Sequence, residues 1–291
     1  MKIAYLACEH TLPNSKSRRE DALEHDQTLA ALRPVFNGYG ADINDISWDD
    51  PCADWSAYDG IIIGTTWDYQ DRIDEFFERL EVISRFAPVF NPLSMARWNS
   101  RKNYLKDLEK WGVLTIPTLW LEPGDEIDLP DIYEKLDTDQ LVFKRQIGAN
   151  SEGQFRINKS APGSLPVISN AMMIQPFLKS IETHGEYSLI FIDGDFSHGL
   201  IKRPARGDYR VQMSYGGSES IYHPEPEIIE TARHVLEPLD EMPLYARIDM
   251  VRNNAGALCL MELELIEPFL YPLQGPELGE RLYRGLEKRI K

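Results

Sequence analysis

The sequence predicts a mixed α/β protein, and three features of its pattern support this class. Residues 60–64 read Gly-Ile-Ile-Ile-Gly, an apolar run typical of a parallel strand that is covered on both faces. Around this run, apolar strands alternate with segments of helical periodicity. The second half instead contains strand pairs joined by short turns, at Asp193-Gly194 and at residues 253–256. We therefore expect a parallel sheet with helices first and antiparallel hairpins later.

The length, net charge and cysteine content limit the size of the protein and the classes of molecule that it binds. The 291 residues suffice for one large domain or two to three small ones. The net charge of −16 argues against nucleic acid or an anionic membrane surface as the main partner, and no apolar run reaches membrane-spanning length. An anionic ligand would need local clusters of Lys and Arg. Three cysteines without metal or disulfide spacing predict reduced thiols in a cytoplasmic protein.

Polar and aromatic residues follow the strongest strand of the first section. Strands are expected at residues 2–7, 41–46, 60–64 and 89–90, and helices at residues 21–36 and 76–86. Because ligands collect at the carboxyl ends of parallel strands, the residues after position 64 form a candidate substrate wall: Thr65, Trp67, Asp68 and Tyr69. In the alternative interpretation, Thr66 or Asp68 caps a helix and Trp67 packs in the core.

A lysine lies near the start of the next expected helix, at residues 98–112. Asn99 or Ser100 is the expected cap, which puts Lys102 in the first turn. A cation there opposes the helix dipole, so a bound anion opposite it would help to accommodate it. A strand at residues 115–121 follows, and no glycine-rich nucleotide motif is present.

A second lysine ends the strand expected at residues 141–144. The loop after Lys144, residues 145–154, is rich in small residues, so its backbone amides could approach phosphate oxygens. A simple glycine-containing hairpin between Val142 and Phe155 explains the same residues. The apolar segment at residues 172–178 is expected to form another strand.

Basic residues are concentrated after the hairpin that turns at residue 193. They are Lys202, Arg203, Arg206 and Arg210, and they precede Gly216 and Gly217. A basic cluster in an acidic chain favours anion binding over a solvated surface. Helices are expected at residues 228–236 and 277–291.

Three carboxylates mark the last strand pair. In strands that alternate apolar and polar residues, Asp249 can share one face with Glu262 and Glu264. Oxygen ligands of this kind suit magnesium bound together with nucleotide phosphates. The alternative is a pair of amphipathic strands whose outer face happens to be acidic.

The order of these features resembles that of the ATP-grasp carboxylate–amine ligases, the superfamily of glutathione synthetase, D-alanine–D-alanine ligase and the ribosomal-protein glutamate ligases. The resemblance covers nearly the whole chain. Residues 66–69, 97–99, 185–188 and 264–268 look most like a small subgroup that includes the cyclo-ligase of D-cycloserine biosynthesis. The resemblance implies an ATP-grasp fold with three parts: a Rossmann-like pre-ATP-grasp domain on the substrate side (1–96), a lid subdomain with its linking helix (97–178) and a catalytic subdomain (179–291).

The resemblance also implies ligands and roles. The cofactors would be ATP and Mg²⁺, with Mn²⁺ as an alternative metal. The residues implied in nucleotide binding are Lys102, Lys144, Gly148, Ser151, Gly153, Gln175, Phe177, Leu178 and Glu186. The implied metal ligands are Asp249, Glu262 and Glu264, and the implied catalytic cations are Arg210, Lys202 and Arg203. Gly216 and Gly217 join the substrate wall. Many relatives have Asn at the position of Glu264 and more glycine around Asn150-Ser151-Glu152.

The implied function is ATP- and Mg-dependent ligation. A small carboxylate, from an amino acid or short peptide, would be activated as an acyl phosphate and joined to an amine, between two molecules or within one, releasing ADP and phosphate. The alternatives are a catalytically silent regulatory protein that binds nucleotide, and a kinase that stops at the phosphorylated product. The complete set of lysines, arginine and carboxylates argues against the silent protein. Relatives are often dimers, so the resemblance also implies a homodimer.

Overall fold

A parallel sheet forms the first part of the chain, as the alternating pattern predicts. The computed structural model describes residues 1–149, 151–163 and 168–290. The strands are β1 (Lys2–Ala7), β2 (Asp42–Ser47), β3 (Gly60–Thr65) and β4 (Val89–Phe90), in the order β2-β1-β3-β4. They are connected by helices α1 (Leu23–Gly38) and α2 (Ile73–Ile83). Every residue of β3 is buried, which its apolar run predicts.

A second, antiparallel sheet follows two short helices, α3 (Leu93–Asn99) and α4 (Tyr104–Lys110). Its elements are β5 (Leu119–Leu121), α5 (Leu129–Lys135), β6 (Gln140–Arg145), β7 (Phe155–Asn158) and β8 (Met172–Pro176). The strand order is β5-β8-β6-β7. Ile132 and Tyr133 of α5 pack with Leu141 and Phe143 of β6, so the helix covers one face of this sheet.

The third sheet is also antiparallel and carries the second half of the predicted chemistry. Its elements are α6 (Ser180–Thr183), β9 (Glu186–Ile192), β10 (Asp195–Arg203), β11 (Ser218–Tyr222), α7 (Pro226–Arg233), β12 (Tyr245–Arg252), β13 (Leu258–Glu264) and α8 (Leu278–Arg289). The strand order is β11-β10-β9-β12-β13. Both predicted hairpins are confirmed.

The last helix returns to the first sheet. Leu282 and Leu286 of α8 share one buried cluster with Leu32 and Phe36 of α1 and with Ile192 of β9. Just beyond α1, Tyr39 stacks on Tyr283 with ring centroids 4.2 Å apart. The parallel sheet and the third sheet therefore share a hydrophobic core.

The helix predicted at residues 98–112 is wrong in one respect: it is two helices, and Lys102 lies in the break between them. Asn99 does not cap a helix. Its buried amide donates to the carbonyl oxygen of Leu263 at 2.8 Å and accepts from the N–H of Leu265 at 2.9 Å. The side chain thus ties the end of α3 to the carboxyl end of β13.

Several predicted boundaries also change. The strand expected at residues 115–121 is reduced to β5, with Thr115 forming a single parallel bridge to Leu260. β7 pairs with β6, so the hairpin interpretation of this region is right. Elements α5 and β11 were not predicted. No helix of the described residues is long and apolar enough to cross a membrane.

Candidate active site

A cavity of about 980 Å³ is lined by residues of the second and third sheets, by the start of α1 with the residues just before it, and by Trp67 after β3. This volume lies at the upper end of the range for ligand sites. Most of the predicted site residues line it: Trp67, Lys102, Lys144, Gly148, Ser151, Gln175, Phe177, Leu178, Glu186, Lys202, Arg210, Asp249, Glu262 and Glu264. The others do not: Thr65, Asp68, Tyr69, Gly153, Arg203, Gly216 and Gly217.

The three predicted carboxylates, Asp249, Glu262 and Glu264, form a carboxylate cluster on one wall of the cavity. Asp249 is opposite Glu262 in the β12–β13 register, and Arg247 is opposite Glu264. Two-residue periodicity puts positions 247 and 249 of β12 on one face, with 262 and 264 of β13 beside them. The predicted shared face is therefore confirmed.

Each carboxylate of the cluster has a cationic partner. Lys102 Nζ is 2.8 Å from Glu262 Oε1. Arg247 pairs with Glu264 and lies 3.0 Å from Asp249 Oδ2. Lys202 Nζ lies 3.5 Å from the same aspartate. No group of three His, Cys, Asp or Glu side chains in the described ranges is arranged to hold a metal ion as it stands.

The buried charges shift one another's pKa values. Burial alone would raise the pKa of Asp249, but Arg247 and Lys202 hold it below its usual value. Burial raises the pKa of Glu264 above its usual value although Arg247 opposes this, and Glu262 adds to the effect. A carboxylate whose ionisation is opposed by burial and by neighbouring acids gains from an added cation. The donor set therefore fits a hard divalent cation such as Mg²⁺.

Arg247 is a site residue that sequence reasoning missed. Besides its two carboxylate partners, it donates from Nη1 to the carbonyl oxygen of Phe269 at 3.2 Å. Its position two residues before Asp249 on the same strand would have revealed that it shares the face of the cluster.

Lys144 differs from the other cavity cations. Its ammonium group forms no hydrogen bond or ion pair with any residue that the structure describes. Partial burial lowers its pKa, since no carboxylate contacts it closely enough to compensate. A partly buried cation without a counter-ion favours an anionic ligand.

The loop after β6 approaches the same place. Lys102 Nζ donates to the carbonyl oxygen of Gly148 at 2.7 Å, so this lysine joins the loop to Glu262. Gly153 has φ +67°, and a Cβ there would lie 2.6 Å from Nε of Arg145. Gly153 thus serves the packing of the loop rather than the cavity wall. Asn150, part of the predicted closing loop, lies outside the described residues.

The predicted adenine segment lies at the end of β8. Gln175 donates to Thr118 Oγ1 at 2.9 Å, and the N–H of Phe177 donates to the carbonyl oxygen of Gln140 at 2.8 Å. Tyr209 packs edge-on against Phe177, with ring centroids 5.8 Å apart. Glu186, at the start of β9, is buried and paired with Lys202.

The basic loop after β10 is only partly directed at the cavity. Arg210 lines the cavity but pairs with Asp208 at 2.7 Å. Arg203 is exposed and donates to Ser220 Oγ at 3.2 Å, because side chains alternate along β10 and Lys202 takes the inward side. At Gly217 a Cβ would lie 2.0 Å from the carbonyl oxygen of Val211, so this glycine allows a close backbone approach.

The predicted substrate wall is reduced to Trp67. Thr65 is buried and lies 2.6 Å from His25 Nδ1. Asp68 accepts from the indole N–H of Trp48 at 2.8 Å, and Tyr69 packs on Phe76. These three side chains hold the fold at the carboxyl ends of the parallel strands, and no helix cap by Asp68 is formed.

Further acidic residues that were not predicted as site residues line the cavity, among them Glu24 near the start of α1, Glu219 on β11 and Glu267 just after β13. Burial raises the pKa of Glu24 to about 7, with Asp21 and Glu219 adding to the effect. Its side chain forms no hydrogen bond or ion pair with a described residue. These acids come from distant parts of the chain, so no sequence spacing reveals them.

Solved ligases share this fold. D-alanine–D-alanine ligase from Bacillus anthracis matches with a TM-score of 0.66 and 14% identity, over 98% of this chain and 94% of its own. The crystal structure of D-cycloserine synthetase DcsG matches over 100% of both chains, with a TM-score of 0.83 and 25% identity. The chain is an ATP-grasp enzyme of the carboxylate–amine ligase class.

Sequence comparison points to the same subgroup. Residues 3–91 match the family model described as D-cycloserine synthetase DcsG, N-terminal domain. Cycloserine biosynthesis protein DcsG of Streptomyces lavendulae is 28% identical over 294 residues, covering 90% of this chain and 92% of that protein. The predicted resemblance to this subgroup is confirmed.

Proposed function

We propose that the cavity binds ATP, with its triphosphate against Lys102, Lys144 and the loop at residues 148–153. The single observation that carries this proposal is the placement of a partly buried lysine, Lys144, whose ammonium group pairs with no described residue, in the same cavity as the carboxylate cluster. Phosphate oxygens supply the missing counter-charge for Lys144. In the proposed assignment, the segment at residues 175–178 holds adenine and Glu186 faces the ribose.

In the same proposal, Asp249, Glu262 and Glu264 hold one or two Mg²⁺ ions, with Mn²⁺ as an alternative. Magnesium supplies charge neutralisation at the transferring phosphoryl group. Lys102 pairs with Glu262, and Arg247 pairs with Asp249 and Glu264, so both cations would then be released toward the phosphates or the reacting carboxylate.

The proposed reaction begins with attack of a substrate carboxylate on the γ-phosphate, because a free carboxylate is a poor electrophile. Arg247 and Lys202, both buried beside the cluster, stabilise the negative charge that develops on the acyl phosphate and the tetrahedral intermediate. Arg210 assists from the edge of the cavity. An amine then displaces phosphate, and the loop at residues 148–153 excludes the water that would hydrolyse the acyl phosphate.

Two glutamates of the cavity wall support an amino acid as substrate. Glu24 and Glu219 line the cavity, as does Trp67, and neither glutamate forms an ion pair with a described residue. An α-ammonium group would lower the pKa that burial raises at Glu24. The named products of the relatives, D-alanyl-D-alanine and D-cycloserine, both derive from amino acids, so a linear or a ring-closed product is proposed.

The test is ADP release with Mg²⁺ across D- and L-alanine, serine and ornithine and short dipeptides, followed by mass spectrometry of the product. Asp249→Asn and Glu262→Gln remove two cluster members, and Glu78→Gln on the exposed face of α2 is the matched control. Turnover that consumes an amine and is lost only in the cluster variants supports the proposal. A phosphorylated product with no amine consumed would indicate a kinase, and magnesium-independent nucleotide binding without turnover would indicate a regulatory protein.

Two finer points have their own measurements. D-cycloserine added with MgADP should raise the melting temperature if the site accepts that ring, whereas a linear product predicts no shift. The proposed homodimer is tested by the mass of the protein in light scattering.

A further inference from the structure

Glu267 differs from every member of the carboxylate cluster. It lines the cavity just after β13, yet it forms no ion pair with a Lys or Arg of the described residues. One carboxylate oxygen, Oε1, accepts from Gln70 Nε2 at 3.0 Å. The backbone N–H of Glu267 itself also donates to this carboxylate, and no other side chain of the described residues does. A carboxylate that lines the cavity without a cationic partner can accept a proton from a ligand.

The carboxylate is also fixed in place by the substrate side of the molecule. The indole N–H of Trp67 donates to the carbonyl oxygen of Glu267 at 3.1 Å, and Gln70 follows three residues later in the same segment after β3. Trp67 is the one residue of the predicted substrate wall that lines the cavity, and Lys102 belongs to the proposed phosphate-binding side. Glu267 therefore lies between these two parts of the site.

We propose that Glu267 is the general base that takes a proton from the amine nucleophile. This inference rests on the proposed ligase function. The amine enters as an ammonium ion, which cannot attack because its nitrogen has no lone pair. Glu267 takes one proton, the nitrogen attacks the acyl carbon, and the carbon–oxygen bond to phosphate breaks with its electron pair on phosphate. The second N–H proton leaves with the phosphate, so the amide is neutral.

The electrostatics around Glu267 agree with this role. Burial raises its pKa to about 7, while the hydrogen bond from Gln70 and the charge of Lys102 oppose the shift and Glu262 adds to it. The phenol of Tyr69, another nearby acid, stays neutral because burial raises its pKa well above the usual value. A base with a pKa near the working pH is the most effective.

The decisive experiment separates proton removal from carboxylate activation. Hydroxylamine is already neutral at pH 7, so it captures an acyl phosphate without help from a base. For the amino acid of the panel that the wild type activates, we expect Glu267→Gln to retain hydroxamate formation and MgADP affinity. Ligation of the ammonium-bearing amine should fall about 10²- to 10⁴-fold. Glu78→Gln, on the surface of α2, should match the wild type in both assays.

The pH profile provides an independent readout. Since the base must be ionised, wild-type ligation should rise with pH through about 7, and Glu267→Gln should lack this rise. Gln70→Leu removes a hydrogen bond that lowers the pKa of Glu267, so its rise should move to higher pH. The move should be absent in the double variant Gln70→Leu with Glu267→Gln.

Four results would overturn the inference. If Glu267→Gln also loses hydroxamate formation, the carboxylate acts before the amine step. If it ligates the amine at the wild-type rate, or if Gln70→Leu leaves the pH profile unchanged, Glu267 is not the base. A wild type that forms no hydroxamate with any panel amino acid refutes the proposed ligase function, and the inference with it.

Discussion

Replacement of Arg247 by Met should destabilise the protein because it leaves the buried Asp249 and the partly buried Glu264 without their main counter-charge. Arg247 is 9% exposed, lies 3.0 Å from Asp249 Oδ2 and also pairs with Glu264. Removing one partner of a buried ion pair typically costs 3–5 kcal/mol. Lys202 remains 3.5 Å from Asp249, so we expect a loss near the lower end, about 3 kcal/mol.

The assay is urea denaturation of both proteins in EDTA, with the free energy of unfolding extrapolated to water. Arg281→Met is the matched control, because Arg281 pairs with Glu277 on the surface and its loss should cost under about 1 kcal/mol. Ligation by Arg247→Met should also fall about 10²- to 10³-fold. Arg247→Lys should recover part of the stability but little of the rate, since lysine lacks the forked donor geometry. A stability loss for Arg247→Met no larger than that of the control would refute this account of the cluster.

Three further predictions follow from single contacts. Lys144→Met should weaken ATP binding roughly 10- to 100-fold in calorimetry, because a hydrogen bond to a charged group contributes about 1.5–3 kcal/mol. The melting temperature should not fall, because this lysine has no counter-ion among the described residues. Gly217→Ala should lower the free energy of unfolding in urea by about 1–3 kcal/mol, since its Cβ would lie 2.0 Å from a backbone oxygen. Gly38 has open space around it, so Gly38→Ala should raise the free energy of unfolding by about 0.5–1 kcal/mol. Glu24→Gln should raise the melting temperature at pH 8 but not at pH 4. The folded pKa of about 7 lies above the value near 4.3 of an unfolded chain, so the stability that protonated Glu24 contributes is lost as pH rises between the two. An equal effect of Glu24→Gln at both pH values would contradict this.

The carboxylate cluster could be predicted because strand periodicity is a local property. Alternation within β12 and β13 fixes which side chains share a face, and the turn at residues 253–256 fixes which residues are opposite. The same rule applies to Arg247, which lies two residues before Asp249 on the same face of β12.

The substrate side was harder to predict for a physical reason. After β3 the chain leaves the regular strand, so no periodicity decides which side chains face the cavity. Partners that are distant in sequence decide which way these side chains point. Asp68 is hydrogen-bonded to the indole of Trp48, and Thr65, at the end of β3, is hydrogen-bonded to His25. Glu24 and Glu267 reach the cavity only through the packing of α1 and of the segment after β13.

The packing of α8 on α1 has a consequence for synthesis of the chain. Leu32 and Phe36 emerge from the ribosome long before Leu282 and Leu286, which cover them. Until α8 has been synthesised, the face of α1 that α8 covers stays exposed. The first 91 residues should therefore not form a stable unit by themselves. Contacts between the two ends of a chain also slow folding, because a long loop must close before they form. Ribosome-bound chains truncated before residue 278 should therefore be sensitive to protease in α1, and chains extended beyond residue 290 should be resistant.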